Sequence, residues 1–485
     1  MNYLELLKLA APEVALVVAA LAVLAIGLAN DRARGTPLFV ALLGITAAAI
    51  CFLFLPAHAN PFGGPLVLSP LNRLFGIVCL SLTFATLLLT HGEHALMHRA
   101  EYIAIILFAT IGLLLLVSSE ELLTIFIGLE LLGLSLYVMT AFDKNSLYSA
   151  EAALKYFLFG STASAFTLFG ISLIYGISGS TELSRIATGL NGTAPLLAAG
   201  VVMTLVGFAF KIAAAPFHLW APDAYEGAPV TSGAFIASAS KVASFVVLGK
   251  IVLTAFGALH GSAGWHALVG GWSPLLAVLA AFSILLGNFV ALAQRDVRRL
   301  LAYSAVAHSG YALLGLVAGN RDGFSATLFY IIIYAITLLG AFGVCSAVLH
   351  ETGGTQLANF AGLRTRSPLL SGCMAVFMLS LAGLPPLAGF FGKFYLFSAA
   401  LRAAPNHGLL WLVAIALFGS LISLYYYLVV LRAIFVDQAS VAAAAPLHIS
   451  GDWVRSATVL VLAAAVLVFG VTPTPLLARI IAALT

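Results

Sequence analysis

Residues 101–117 read EYIAIILFATIGLLLLV, and after Glu101 the run carries no charge and no proline. A barrel strand that faces lipid on one side and a wet lumen on the other alternates in polarity over about ten residues. This stretch is continuously apolar instead, and a bilayer-spanning helix needs about 20 such residues. Working outward, the same pattern predicts fourteen helices, near 11–29, 37–56, 70–90, 100–118, 120–142, 149–178, 195–219, 229–258, 273–293, 299–318, 323–349, 368–400, 407–436 and 453–471. Composition agrees: 62% of residues are hydrophobic, only 8% are charged, and the mean hydropathy is +1.10. A soluble domain carries about 25% charged residues, so this chain is solvated by lipid. Inside a bilayer each backbone polar group needs an internal partner, which helices supply within one segment. The expected fold class is an all-α polytopic membrane protein forming one membrane domain.

Several function classes drop out. No basic face with interleaved aromatics exists, so no nucleic-acid partner is expected. Cys51, Cys79, Cys345 and Cys373 lie far apart in apolar segments without a CxxC, which supports neither an iron–sulfur cluster nor structural zinc. His91, His94 and His98 with Glu93 fit no closed metal site and read as a solvated juxtamembrane loop. No GxGxxG, Walker A or nucleophile elbow occurs. The run Val14–Leu28 follows Glu5 and Glu13 with only Lys8 as a basic flank, so it reads as the first span and not as a cleavable signal.

Orientation follows from Lys and Arg on alternate loops. One set holds eleven (Arg32, Arg34, Arg99, Lys144, Arg295, Arg298, Arg299, Arg364, Arg366, Arg432, Arg455) and the other six (Lys8, Arg185, Lys250, Arg321, Arg402, Arg479). The richer set faces the cytoplasm, which puts both termini outside.

Five basic residues remain within spans: Arg73, Lys155, Lys211, Lys241 and Lys393; among acids only Glu130 sits deep. A charge at the bilayer centre costs roughly 2.5–3.5 kcal/mol on insertion scales, so such residues mark paired groups or wet paths. Lys211 lies in FAFKIAAAPF, where Pro216 lacks an N–H and frees the carbonyl of Ile212 beside it. Lys241 lies in IASASKVASF, with Ser238 and Ser244 at helical spacing on its face, which suits either a hydrated groove or tight packing of small residues. Lys393 follows Pro385-Pro386 by two turns, among Gly383, Gly389 and Gly392, so a discontinuous helix beside a buried ionisable residue is expected. Lys155 stands four residues after Glu151, where a helix-surface ion pair competes with a pathway role. Arg73 starts its helix and snorkels. Glu130 is either ionised with a partner or buried and protonated, and the simplest partner is Lys211. His308 is a core histidine or a proton-handling one. Residues 122–137 and 300–315 both open with Leu-Leu and carry Glu130 and His308 at the same ninth position, which hints at an internal repeat.

The stretches FKIAAAPFHLWAPDAYEGAPV (210–230), GLELLGLSLYVM (128–139), SASKVASF (238–245) and GLPPLAGFFGKFYLF (383–397) resemble the subunit N family of the proton-pumping NADH:quinone oxidoreductase, respiratory complex I. The resemblance covers roughly residues 100–435. Sister subunits M and L and the Mrp-type antiporter subunits are similar but differ around and after the first proline, and subunit M carries glutamate where Lys393 stands. The resemblance implies two inverted five-helix repeats, each with a broken helix: 100–258 and 259–436, flanked by N-terminal helices in 1–99 and a C-terminal helix in 437–485. It implies a proton pathway through Glu130, Lys155, Lys211, Lys241, His308 and Lys393, with Glu130 and Lys211 as an ion pair. It further implies no cofactor in this chain, with NADH, FMN, iron–sulfur clusters and quinone handled by other subunits of the translocase. Expected neighbours are subunits K, M and J and the lateral helix of subunit L, in a bacterial inner membrane with both termini periplasmic. A Mrp-type cation/proton antiporter subunit without redox coupling is the alternative.

Overall fold

The computed structural model of the chain describes residues 7–29, 35–56, 58–60, 65–93, 98–190, 195–403, 408–438 and 453–484. Arg32, Arg34 and His94 lie outside the described residues. Among the described residues, twelve helices are long and apolar enough to cross a membrane. They follow the expected spans closely, from Ala11–Ala29 through Arg99–Ser118 and Leu122–Thr140 to Trp453–Val471. Their starts carry local signals that the sequence announces. Ser69 accepts from the Asn72 N–H at 3.1 Å with Pro70 in the first turn, and Asn320 Oδ1 accepts from the Gly323 N–H at 2.8 Å.

The remaining two expected spans, 195–219 and 368–400, are broken at their prolines. Pro195–Lys211 ends at the first break, and the chain re-enters a helix at Trp220–Gly227. Pro368–Ala382 ends at Gly383, whose φ of +86° only glycine adopts freely, and Ala388–Ala403 follows. The expected span 229–258 is also divided, into Val230–Ala237 and Ala239–Lys250, with a π-helical turn at Ile251–Ala255. Short helices at Leu183–Gly189 and Thr474–Ala483 and a hairpin pairing Ser262–Gly264 with Ala267–Val269 were not anticipated.

Burial separates the helices into layers. Val297–Val317 and Arg321–Thr352 are almost wholly buried within the protein, whereas most of Leu147–Ser178 is not. The outer helices instead expose large apolar side chains, such as Phe54 at 85% and Leu147 at 87%, as a lipid-facing surface requires. Close backbone approach sets the inner layer. A Cβ on Gly310 would stand 2.7 Å from the Ala280 carbonyl, so Val297–Val317, which carries His308, lies tight against Trp272–Ala291.

Candidate proton-handling site

The first proline break is held by groups from the other half of the chain. Ser283 Oγ accepts from the Ala215 N–H at 2.8 Å, and Ser309 Oγ donates to the Ile212 carbonyl at 2.5 Å, the carbonyl that Pro216 deprives of its helical partner. Ser309 Oγ also accepts from Lys241 Nζ at 2.9 Å, and Lys241 donates a second bond to the Ala305 carbonyl at 2.7 Å. Lys241 is 1% exposed. Its flanking serines Ser238 and Ser244 are fully buried and donate back to the Ala234 and Ser240 carbonyls.

Lys211 is buried immediately before this break. It lines a cavity of about 20 Å³ with Glu130, Tyr137, Ser164 and Thr167. That volume holds about one water. Ser164 Oγ donates to Glu130 Oε1. Among the described residues Glu130 and Lys211 make no ion pair within 4.0 Å. The expected direct pair is therefore replaced by two ionisable groups facing one water-sized space.

The second break has a different solution. Pro385 and Pro386 lack the N–H groups that would have bonded the Leu381 and Ala382 carbonyls. Lys393 Nζ donates to both carbonyls at 3.0 Å and to Ser420 Oγ at 2.9 Å. The lysine thus fills the gap its own prolines create. Two tyrosine rings lie between these lysines. Lys241 Nζ is 5.4 Å from the Tyr334 ring and Lys393 Nζ is 5.1 Å from the Tyr311 ring. His308 lies 5.0 Å from Tyr334 and 5.6 Å from Tyr311, ring to ring. Its Nδ1 meets the Tyr330 hydroxyl at 2.7 Å and its Nε2 the Tyr427 hydroxyl at 3.0 Å. The Tyr334 hydroxyl is buried without a protein partner among the described residues.

Lys155 sits at an open cleft and not in the interior. Its Nζ pairs with Glu151 at 2.7 Å and with Asp223 Oδ2 at 2.9 Å, while Arg299 Nη1 bridges Asp223 at 2.7 Å and Glu226 at 2.8 Å. Burial pulls the Asp223 carboxyl upward, but the hydrogen bonds from Lys155 and Arg299 outweigh it and hold the carboxyl below its ordinary range. The cleft is about 600 Å³, and its acids Glu93, Asp143, Glu151, Asp223, Glu226 and Asp296 outnumber Lys155, Arg298 and Arg299.

Two assignments from the sequence are corrected. Lys250, counted among loop residues, is 6% exposed and donates to Asn72 Oδ1 at 2.5 Å and to the Val117 carbonyl at 2.6 Å. Glu93, expected in a solvated loop, is buried and accepts from the Thr231 N–H at 3.1 Å and from the Thr231 hydroxyl. His98, by contrast, keeps an open pairing with Glu101 at 3.6 Å. Tyr330, Tyr334, Tyr311, Tyr427 and Ser309 were also not singled out. Only the spacing of Tyr330 and Tyr334, one helical turn apart, carried a signal in the sequence.

Arg73 donates to the Leu55 carbonyl, a helix-end contact in keeping with its position.

A family profile described as NADH:quinone oxidoreductase/Mrp antiporter, TM matches residues 119–423. NADH-quinone oxidoreductase subunit N 2 of Acidobacterium capsulatum is 47% identical, covering 97% of this chain and 98% of that protein. Subunit N of Desulforamulus reducens is 35% identical, covering 96% and 95%. Among solved structures, a chain of respiratory complex I from Thermus thermophilus aligns with a TM-score of 0.79 at 33% identity, over 96% of this chain and 98% of that one. A chain of the Mrp complex from Dietzia aligns with a TM-score of 0.84 at 21% identity, over 98% and 97%, a likeness of fold alone.

Proposed function

We propose that this chain, which belongs to the NADH:quinone oxidoreductase/Mrp antiporter transmembrane family and to its subunit N relatives, moves protons as a membrane-arm subunit of a proton-pumping NADH:quinone oxidoreductase. The observation that carries the mechanism is the bond from Lys241 to Ser309, whose hydroxyl also reaches the broken helix beside Lys211. Lysine suits this work because desolvation disfavours its charged form while a nearby acceptor or carboxylate favours it.

In this reading Glu130 and Lys211 hold a proton at the one-water cavity of the first repeat. Lys241 takes it at the junction of the repeats, with the Tyr334 hydroxyl, which has no protein partner among the described residues, giving a water its foothold toward His308. His308 accepts on one ring nitrogen and releases from the other, since both face tyrosine hydroxyls. Lys393 receives the proton while three neutral oxygens keep its ammonium satisfied. Lys155, with Asp223 and Arg299, orders the mouth of the cleft. The repeats are taken as 100–258 and 259–436, with flanking helices in 1–99 and 437–485.

The chain acts as part of a translocase and binds no redox cofactor itself; NADH, FMN, iron–sulfur clusters and quinone belong to other subunits. Subunits K, M and J and the lateral helix of subunit L are its neighbours, in a bacterial inner membrane with both termini periplasmic. A redox-free antiporter shares the fold, but the identities of 33–47% lie with the oxidoreductase relatives.

Lys241→Met tests the reading. An apolar side chain of similar length fits the buried site, so the complex assembles and keeps NADH oxidation by an artificial acceptor, while NADH-driven proton uptake into inverted vesicles collapses. Wild-type uptake by the assembled variant overturns the pathway.

A further inference from the structure

Glu93 occupies the floor of the acidic cleft, and a row of hydroxyls leads from it into the protein. Its carboxylate accepts from the Thr231 hydroxyl and the Thr231 N–H. The Tyr102 hydroxyl lies 2.8 Å from Thr231 Oγ1 and 2.6 Å from Ser232 Oγ, and Ser232 Oγ donates to the Met139 carbonyl at 2.9 Å. Thr231, Tyr102 and Ser232 are each 1% exposed or less. Four polar side chains from three segments therefore form one unbroken hydrogen-bonded file between open water and the interior of the first repeat. As the side chains stand, Thr231 donates to Glu93 and Ser232 to the Met139 carbonyl, so Tyr102 donates to one of the two. With a proton on Glu93 the same oxygens can turn so that each accepts from the one before it and donates to the next, as a proton relay needs.

Resting on the pathway described above, we propose that Glu93 is a proton-loading carboxyl and that Thr231, Tyr102 and Ser232 relay its proton inward, forming an uptake arm for this subunit. The carboxylate takes a proton from cleft water on one Oε. Once protonated, Glu93 no longer draws the Thr231 hydroxyl, which turns to the Tyr102 oxygen. As Glu93 then passes its proton to Thr231 Oγ1, the threonine gives its own to Tyr102, and Tyr102 gives its own to Ser232 Oγ. Each oxygen forms one O–H bond and breaks one. The Met139 carbonyl that Ser232 faces cannot keep a proton, so the proposal requires a water bound there to take the one Ser232 releases. Two properties of the site favour loading. The cleft carries more carboxylates than basic groups and so attracts protons. Burial also pushes the Glu93 carboxyl above its ordinary range, against the lowering effect of the Thr231 hydrogen bonds.

Glu93 also has a structural part, because its carboxylate satisfies the N–H of Thr231 in the first turn of Val230–Ala237, where Pro229 offers no side-chain cap. Glu93→Gln separates the two roles: the amide oxygen still accepts from the Thr231 N–H, but the group no longer titrates. Tyr102→Phe likewise keeps the ring and removes the relay hydroxyl. The test measures NADH-driven proton uptake by the whole complex in inverted vesicles, normalised to assembled complex, in H₂O and in D₂O. Both variants are expected to assemble, to lose uptake severalfold, and to show a larger solvent isotope effect, with partial recovery in Glu93→Asp. Wild-type uptake in Glu93→Gln or in Tyr102→Phe, alongside loss in Lys241→Met, overturns the arm and leaves the pathway standing. Wild-type uptake in Lys241→Met overturns both. Should Glu93→Gln fail to assemble, Tyr102→Phe decides alone.

Discussion

Removing Glu130 and Lys211 singly and together asks whether they act as one unit across their shared cavity. Glu130→Gln keeps an oxygen for the Ser164 hydroxyl, and Lys211→Met keeps the length of a buried side chain, so neither change should disturb packing. The structure bounds the coupling. Two unit charges 4 Å apart interact by about 4 kcal/mol at an effective dielectric of 20 and about 1 kcal/mol in bulk water. These two groups stand beyond 4.0 Å across a space of about 20 Å³. Their coupling should therefore fall below about 4 kcal/mol, with about 1 kcal/mol as its scale if the gap is fully wet. Expressed as a rate ratio, that is from about fivefold to just under about a thousandfold. The assay is a double-mutant cycle on NADH-driven proton uptake, normalised to assembled complex. Each single change should lower uptake, and the double change should be little worse than the worse single one. Losses that multiply, with equal assembly in all four proteins, refute the idea that the two groups share a proton.

Other consequences concern the breaks and the buried cations. Lys393→Met orphans the Leu381 and Ala382 carbonyls at about 1–3 kcal/mol each, so thermal melting of the assembled complex should fall together with proton uptake. Lys393→Arg keeps donors and a permanent charge, so it should recover melting but not uptake; a Met variant as stable as native removes the capping role. Gly389→Ala should prevent assembly, because the new Cβ would lie 1.8 Å from the Ser380 carbonyl, well beyond the overpacking that costs about 1–3 kcal/mol; a normally assembled variant contradicts the geometry of the break. Asp223 has its folded pKa depressed, so its contribution is present above the unfolded value of about 3.9 and is lost as pH falls through the folded one. Acid titration of stability should therefore be shallower in Asp223→Asn, and identical profiles count against the Lys155–Asp223–Arg299 tie. Lys250→Met strips the donor from Asn72 and from the Val117 carbonyl, so hydrogen exchange should quicken where Pro70–Leu89 meets Arg99–Ser118; unchanged protection there removes its tethering role.

The linear sequence determined that this is a helical membrane protein, because long apolar runs with almost no charge leave the backbone one solution in lipid. It also pointed to Glu130, Lys211, Lys241 and Lys393, since a charge far from both ends of an apolar run is visible in one dimension, as are the prolines that break helices. Partners are another matter. Ser309 reaches Ile212 across 97 residues of chain and Lys241 across 68. Lys250 looked like an interfacial residue when counted along its own span, and its burial comes from Asn72 and Val117, 178 and 133 residues away. Glu93 was hidden in a histidine-rich loop, and Thr231, which buries it, follows 138 residues later. Periodicity reports how one helix meets its surroundings, whereas a buried donor is satisfied by whichever acceptor tertiary packing brings within about 3 Å. Charges far from both ends of an apolar run were therefore legible from the chain, whereas buried charges near an end, such as Lys250 and Glu93, and the oxygens that hold all of them were decided only when the helices packed.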